Sequence, residues 1–448
     1  MTVDGERAPS APAAGRFPVT VKQERHLRRD GEGVAFGMEN PYMVLRLGGA
    51  LDLAALQTAG DELVRRHDAL RTRFAWTGTR FEQWTAPAAP AALELVTDAD
   101  GRPPSSEEAA RQLLFERVSA PLDLARGPVM RALLAPLPGD VALLALVFSH
   151  AICDGWSLEL ALRELGARYA AARGGRPLAP LPAAPRWRDW AESELPYVEG
   201  AAGRADMEFW RSEFAGTWPA PEVVLPAAVL ADREAPPGRP HAVRRFFGEA
   251  EAARLEDFAA SHRVTPFMVV TAAVKRRLAE LMEGSDVLVA SPFAGRDAAD
   301  THGLLGCLAN VVVLRSAVTR GEPLAASAAT VRDTVLRVYG HQRLPFSLIV
   351  DELAPELNAR PPRPPWVFVY YEDDRTLLGA FEGLDSELVE LEPLDQWTLP
   401  AICFFWNRRP DGLALELRHQ THVLPPACAE ALVEAVAEDF AEALTPRT

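Results

Sequence analysis

The sequence predicts a mixed α/β protein of two lobes. At 448 residues the chain exceeds the size at which one hydrophobic core keeps growing. Apolar runs of strand character alternate with amphipathic helical segments, and both kinds occur on each side of a proline-rich joint at 174–187. This alternation is typical of helices layered on sheets.

The individual elements follow from residue type and spacing. Short runs rich in β-branched and aromatic residues predict seven strands, at 80–86, 143–150, 286–293, 310–316, 366–372, 401–406 and 413–419. Apolar residues at helical spacing predict four longer helices, at 52–67, 158–171, 267–282 and 425–444. The boundaries that follow are a disordered tail at 1–16, a first lobe at 17–175, a linker at 176–190 and a second lobe at 191–448.

Composition narrows the functional class. A net charge of −15 argues against general nucleic-acid binding, which needs a basic face. No apolar run approaches the length of a membrane span, and the N-terminus lacks a secretory signal, so we expect a cytoplasmic protein. Neither CxxC nor HExxH occurs, so we expect no metal site and no disulfide framework. The cysteines are Cys153, Cys307, Cys403 and Cys428.

The stretch FSHAICDGWS, residues 148–157, holds the strongest candidate for chemistry. It follows the apolar run VALLALVF, so His150 should project from the end of a strand, where a histidine can serve as acid or base. We expect Asp154 to fold back beneath it, helped by the permissive backbone of Gly155. Taken alone, such a motif more often marks a structural histidine and an ordinary turn that opens a helix.

Several segments together resemble a known family, the condensation domains of non-ribosomal peptide synthetases. SHAICDGWS resembles the family signature HHxxxDGWS, and RRHDALRTRF (65–74) resembles RHExLRTxF. HQRLPFSLIVDEL (341–353) is similar to HQxxPFxxLVDEL. FPVTVKQERHL, PRWRDWAESE and SPFAGRDAADTHGLLGCLANVVVLR resemble further family segments in the same order.

The resemblance implies a fold and a reaction. The fold is two lobes like chloramphenicol acetyltransferase in a V, with an active-site tunnel between them. The reaction joins a carrier-bound acyl thioester to an amine or alcohol. The expected partner is a peptidyl carrier protein, whose phosphopantetheine arm is a substrate, and no bound cofactor is implied. Because the sequence ends four residues after Leu444, we expect a free-standing enzyme that meets its carrier in trans.

The resemblance also assigns site residues. The family histidine corresponds to His150, a base or a stabiliser of the tetrahedral intermediate. Asp154, Gly155 and Arg296 correspond to the supporting residues, and we expect the Asp154–Arg296 pair to hold the two lobes and the histidine loop in shape.

Two positions depart from the family pattern. Ser149 replaces the first histidine of the signature; because it should face away from His150, we expect it to support the loop, and turnover should change less than about tenfold in Ser149→His. The stretch TLPAICFFW lacks a family Phe-Asp pair, which suggests a specialised acceptor pocket. Core packing is the alternative for its candidate residues, Trp397 with Trp406 and Tyr370 with Tyr371.

Other polar groups have plainer interpretations. We expect His302 and His341 to be structural hydrogen-bonding residues. The basic stretch VKQERHLRR (21–29) either contacts a carrier or is a solvated helix face. Two further functions stay open beside carrier-dependent condensation: an acyl-CoA-dependent acyltransferase and a non-catalytic docking module.

Overall fold

A computed structural model describes most of the chain. The described residues are 15–31, 40–175, 182–216, 240–281, 286–319, 321–355, 367–376, 380–391, 402–421 and 423–444. No helix among them is long and apolar enough to cross a membrane.

The described helices and strands alternate along the chain. The helices are α1 (Val21–Gly31), α2 (Leu53–Arg66), α3 (Glu107–Val118), α4 (Gly155–Arg173), α5 (Trp187–Glu199), α6 (Ala201–Glu213), α7 (Glu249–Ser261), α8 (Pro266–Leu281), α9 (Leu324–Tyr339), α10 (Phe346–Leu353) and α11 (Pro426–Leu444). The strands are β1 (Phe17–Pro18), β2 (Tyr42–Gly48), β3 (Thr72–Trp76), β4 (Phe81–Thr85), β5 (Leu93–Leu95), β6 (Met130–Leu137), β7 (Val141–Phe148), β8 (Pro240–Gly248), β9 (Asp286–Phe293), β10 (Asn310–Ala317), β11 (Val367–Asp373), β12 (Asp385–Leu388), β13 (Ile402–Arg409) and β14 (Gly412–Gln420).

The chain divides into two compact units, each built from three separate segments. Unit 1 comprises Met1–Gly200, Arg296–Ala309 and Thr376–Gln396, and unit 2 comprises Ala201–Gly295, Asn310–Arg375 and Trp397–Thr448. The boundaries predicted above differ: they begin the second lobe at residue 191 instead of 201, and they also assign 296–309 and 376–396 to it. Local sequence patterns carry no signal that these two segments pack with unit 1.

The main sheet of unit 1 has the strand order β12-β2-β7-β6-β5. Its central strand, β7, pairs antiparallel with both β2 and β6. Alternate residues of β7 enter two hydrophobic clusters on opposite faces: Leu144 packs with the buried face of α4, and Leu143 with that of α3. Burial on both faces explains why β7 is a continuous apolar run. The same burial holds in place the strand that His150 follows.

The sheet of unit 2 has the order β10-β9-β11-β13-β14-β8. β11 lies parallel to both β9 and β13, while the other neighbours pair antiparallel. The fully buried face of α8, including Val270 and Val274, contributes to the core of this unit.

The predicted elements are all present, with ends shifted by a few residues. The seven strands correspond to β4, β7, β9, β10, β11, β13 and β14, and the four helices to α2, α4, α8 and α11. Residue patterns did not predict several further elements, among them β2, β6 and α9. In α9 (LAASAATVRDTVLRVY), alanine, serine and threonine blur the contrast between the faces on which a helical period depends.

Candidate active site

His150 lies two residues beyond the end of β7, in the turn that leads to α4. Its Nδ1 is 2.9 Å from the carbonyl oxygen of Cys153. A carbonyl only accepts hydrogen bonds, so Nδ1 carries the proton in this contact and the neutral ring has its lone pair on Nε2. The turn therefore selects the tautomer in which Nε2 can accept a proton.

Backbone and side-chain hydrogen bonds hold this turn in place. Ser149 donates its backbone N–H to Val129 O at 2.9 Å, and its Oγ accepts from Ala151 N at 3.2 Å. Ser149 is buried, and Gln23 of α1 donates to Ala151 O at 2.9 Å. Ser149 thus contacts the loop, as its expected supporting role requires; the expected tolerance of Ser149→His stays a prediction.

Asp154 caps α4 and binds five N–H groups. Its Oδ1 accepts from Ser157 N at 2.9 Å, the bond that makes Asp154 the N-cap. Its Oδ2 accepts from Leu308 N and Ala309 N, both at 2.8 Å. Arg296 supplies the other two donors, at 2.8 and 3.0 Å, in a bidentate pair. Both carboxylate oxygens are therefore saturated with donors.

The Asp154–Arg296 pair lies inside unit 1 and is almost completely buried. Arg296 also donates to Ser157 Oγ at 2.8 Å and lies over the Trp156 ring. Burial alone would raise the pKa of Asp154, but Arg296 and the backbone donors hold it below its ordinary value. The pair ties the loop that carries His150 to residues 296–309, in line with its expected role of holding that loop in shape. The sequence also predicted that it holds two lobes, whereas both partners belong to one unit.

Gly155 has a different role from the predicted one. It opens α4 directly after the N-cap, and it is not among the glycines with positive φ. A Cβ added there would meet no atom within 4 Å. The prediction that the permissive backbone of Gly155 helps Asp154 to fold back is therefore wrong. An ordinary helical conformation suffices at residue 155, because Asp154 caps the helix.

Two side chains next to His150 were not anticipated. The His26 ring, from α1, stacks on the His150 ring with 4.3 Å between centroids. The Cys307 Sγ lies 3.8 Å from His150 Nδ1. Lys22 lies one helical turn before His26, and its ammonium donates hydrogen bonds to Leu308 O and Ala309 O. The basic stretch 21–29, which we interpreted as a carrier contact or a solvated helix face, thus contributes His26 and Lys22 to this site.

The environment of Cys307 favours its thiolate. Burial of the thiol opposes ionisation, but hydrogen bonds from His150 and His26 outweigh it and lower the pKa of Cys307 to about 6. By contrast, burial raises the pKa of Cys153 well above its usual range. The two cysteines nearest the histidine are thus chemically different.

Two of the predicted acceptor-pocket residues, Tyr371 and Trp406, are register partners on β11 and β13. Trp406 is 0% exposed and packs against Phe247 and Phe440 in the core of unit 2, so its assignment to a pocket is wrong and the core-packing alternative is confirmed. Tyr370 stacks on Phe405 at 4.6 Å. Tyr371 is half-buried, which raises its pKa to about 12, and its role stays a prediction. Trp397 lies outside the described residues.

The two histidines that we expected to be structural, His302 and His341, both make hydrogen bonds within the protein, as predicted. His302 Nε2 lies 3.2 Å from Arg296 O, and the His302 carbonyl accepts from the Trp156 indole. His341 Nδ1 lies 2.7 Å from Asp206 Oδ1, and its ring stacks on Phe209. Both residues contribute to packing around their loops.

Comparison with known proteins agrees with this arrangement. The family model "Condensation domain" matches residues 37–363. Linear gramicidin synthase subunits D and C of Brevibacillus parabrevis are 30% and 32% identical to this chain over 314 and 347 residues. These alignments cover 69% and 76% of this chain but only 6% and 4% of the two synthase subunits.

Solved structures show the same fold. The first condensation domain of the CDA synthetase superposes with a TM-score of 0.77 at 21% identity, covering 97% of each chain. The condensation domain from the monacolin K polyketide synthase MokA has a TM-score of 0.79 at 19% identity, covering 96% of this chain and 98% of that one. The predicted two-lobed α/β fold class is confirmed, and the chain belongs to the condensation domain family.

Proposed function

We propose that this protein transfers an acyl group from a carrier-protein thioester to a small-molecule amine or alcohol. The observation that carries the proposal is the His150–Cys153 contact, because it leaves a proton-accepting nitrogen at the end of β7. The thioester is borne on the phosphopantetheine arm of a peptidyl carrier protein. We include in the proposal that this carrier is a separate protein, acting in trans.

His150 acts on the attacking nucleophile through Nε2. As the nucleophile adds to the thioester carbonyl, Nε2 takes up its proton, and the resulting imidazolium can donate to the tetrahedral oxyanion or to the departing thiolate. Nδ1 keeps its hydrogen bond to Cys153 O throughout, so the ring does not need to turn. General acid–base help of this kind contributes typically about 10²–10⁴-fold in rate.

Asp154 takes no part in proton transfer. Its oxygens already accept five N–H donors and its pKa is lowered, so it neither releases nor receives a proton near neutral pH. With Arg296 it is a positioning group: it fixes the start of α4 and the loop that carries His150. Ser149 likewise supports this loop.

The acceptor decides how strongly the reaction depends on His150. A neutral amine is nucleophilic before it loses a proton, whereas an alcohol becomes a strong nucleophile only as its proton leaves. Removal of His150 should therefore slow ester formation more than amide formation.

The test is single-turnover acyl transfer followed by mass spectrometry. One acyl group is loaded on a separate carrier protein and on coenzyme A, and each donor is offered mixed amine and alcohol acceptors. Wild type is compared with His150→Ala and with His262→Ala, whose histidine ends α7 in unit 2. We expect transfer from the carrier only, lost in His150→Ala and retained in His262→Ala.

Other results would replace the proposal. Transfer from coenzyme A as fast as from the carrier would favour the acyl-CoA-dependent acyltransferase. Absence of transfer from either donor, by protein that unfolds cooperatively on heating, would favour the docking module.

A further inference from the structure

Three potential metal ligands meet at the candidate active site. His26 from α1, His150 after β7 and Cys307 before β10 come from segments far apart in sequence. Their ligand atoms all lie within 4.8 Å of one another. No metal site was expected from the sequence, because short-spaced ligand motifs do not occur and these three residues are brought together only by the fold.

The donor set and its spacing suit a zinc-class ion. Zinc binds imidazole nitrogen at about 2.0–2.1 Å and thiolate sulfur at about 2.3 Å, so tetrahedral ligands of these kinds lie about 3.6 Å apart. The observed separation between Cys307 Sγ and His150 Nδ1 is 3.8 Å. Two imidazoles and one thiolate leave the fourth position of a tetrahedral ion open, as in zinc sites that exchange a ligand.

Binding requires small rearrangements. The His26 and His150 rings stack at an interplanar angle of 23°, so their in-plane lone pairs do not converge on one point. One His26 nitrogen already lies within 4.8 Å of the other two ligand atoms, and rotation of the ring about χ2, a soft torsion, turns its lone pair towards them. His26 is half-buried. Ligation through His150 Nδ1 breaks its hydrogen bond to Cys153 O and moves the ring proton to Nε2. The coordinated thiol gives up its proton, which is released to solvent.

We propose that His26, His150 and Cys307 bind a divalent zinc-class metal ion reversibly, and that the bound ion blocks acyl transfer. The block follows because an ion on Nδ1 leaves the ring proton of His150 on Nε2, which can then no longer accept the proton of the nucleophile. This second part rests on the proposed function, whereas metal binding itself does not. The Lys22 ammonium, one turn from His26, opposes a permanent cation, so the ion should be removable by a chelator.

Cobalt(II) supplies the direct test, because its spectrum reports both thiolate ligation and tetrahedral geometry. Chelator-treated full-length protein is titrated with Co²⁺ and then with Zn²⁺. Wild type should develop a near-ultraviolet thiolate-to-cobalt charge-transfer band and intense visible ligand-field bands, and Zn²⁺ should abolish both. Cys428→Ser, which removes a half-buried thiol of α11, is the matched control and should behave like wild type.

Two variants test the ligands independently. Cys307→Ser should lose the charge-transfer band, and His26→Gln should weaken Co²⁺ binding by at least about tenfold. Thermal unfolding of each variant verifies that it is folded. Absence of the charge-transfer band in wild type, or its persistence in Cys307→Ser, would overturn the proposed site.

Activity measurements separate this proposal from the proposed function. Acyl transfer by wild type and Cys428→Ser should be inhibited by Zn²⁺ and restored by a chelator, and the inhibiting concentration should rise at least about tenfold in His26→Gln. The cobalt spectrum without any acyl transfer would defeat the proposed function and leave the metal site standing. Acyl transfer that is insensitive to Zn²⁺, with no cobalt spectrum, would defeat the metal site alone.

Discussion

Arg296 in unit 1 and Arg408 in unit 2 are both buried, but their carboxylate partners differ in exposure. Arg296 in unit 1 pairs with Asp154, whose side chain is 2% exposed. Arg408 in unit 2 is equally buried but pairs with Glu249, whose side chain is 53% exposed, and with Glu256. The first pair has both charges inside the protein, and the second reaches out to the surface. The pair beside His150 is therefore shielded from solvent at both ends, whereas the pair of Arg408 is open to solvent at its carboxylate.

The largest expected effect comes from neutralising the buried carboxylate. Asp154→Asn leaves the Arg296 charge buried without a countercharge, which should lower the free energy of unfolding by about 3–5 kcal/mol. Acyl transfer should fall as well, because the His150 loop loses its anchor. Urea denaturation measures the first effect, and a loss below about 1 kcal/mol would show that the pair does not stabilise the loop in this way.

Acid should narrow the difference between wild type and Asp154→Asn. The folded pKa of Asp154 lies below that of an unfolded aspartate, about 3.9, so the stabilisation is present above that pH and is lost as the pH falls through the folded pKa. The gap between the two melting temperatures should shrink from about pH 6 to about pH 3. A constant gap across this range would mean that charge at Asp154 is not the cause.

The matching change in unit 2 should have a smaller effect. Glu249→Gln removes an exposed partner, and Arg408 keeps its bonds to Glu256 and to Gly412 O. We expect a smaller loss of stability than in Asp154→Asn, and one that nearly vanishes at about 1 M salt, where the screening length is about 3 Å. Urea denaturation at low and high salt checks this; a loss equal to that of Asp154→Asn would remove the contrast between the two arginines.

The smallest effect is expected at Gly155, where the ion pair and not the glycine should fix the loop. Gly155→Ala adds a Cβ into open space at the first position of α4, so the free energy of unfolding should stay unchanged or rise by up to about 1 kcal/mol. Thermal and urea unfolding measure it. A fall of more than about 1 kcal/mol would restore the idea that the loop needs a glycine backbone.

Much of the fold could be predicted because its central elements have strong local patterns. β7 is a continuous apolar run, and α4 follows a capping aspartate and ends at Gly174, so each is defined by its own residues. Pairings between distant segments could not be predicted. β12 joins the sheet of unit 1 beside β2, across more than 330 residues of sequence, and nothing in its four residues specifies that partner.

The candidate site was predictable only in part, for the same reason. His150 and Asp154 are neighbours in one short motif, and the resemblance to condensation domains pointed to Arg296. His26 and Cys307 lie in segments that showed the resemblance, but their closeness to His150 depends on tertiary packing. Trp406 was misassigned because an aromatic residue on a strand is equally suited to a pocket and to a core, and its neighbours decide.

The most direct test of the central claim is the single-turnover rate of acyl transfer from a separate carrier protein, compared between wild type and His150→Ala at saturating acceptor. If Nε2 of His150 accepts the proton of the nucleophile, the rate should fall by about 10²–10⁴-fold with an alcohol acceptor and less with an amine. Equal rates for the two proteins with both acceptors would contradict the account.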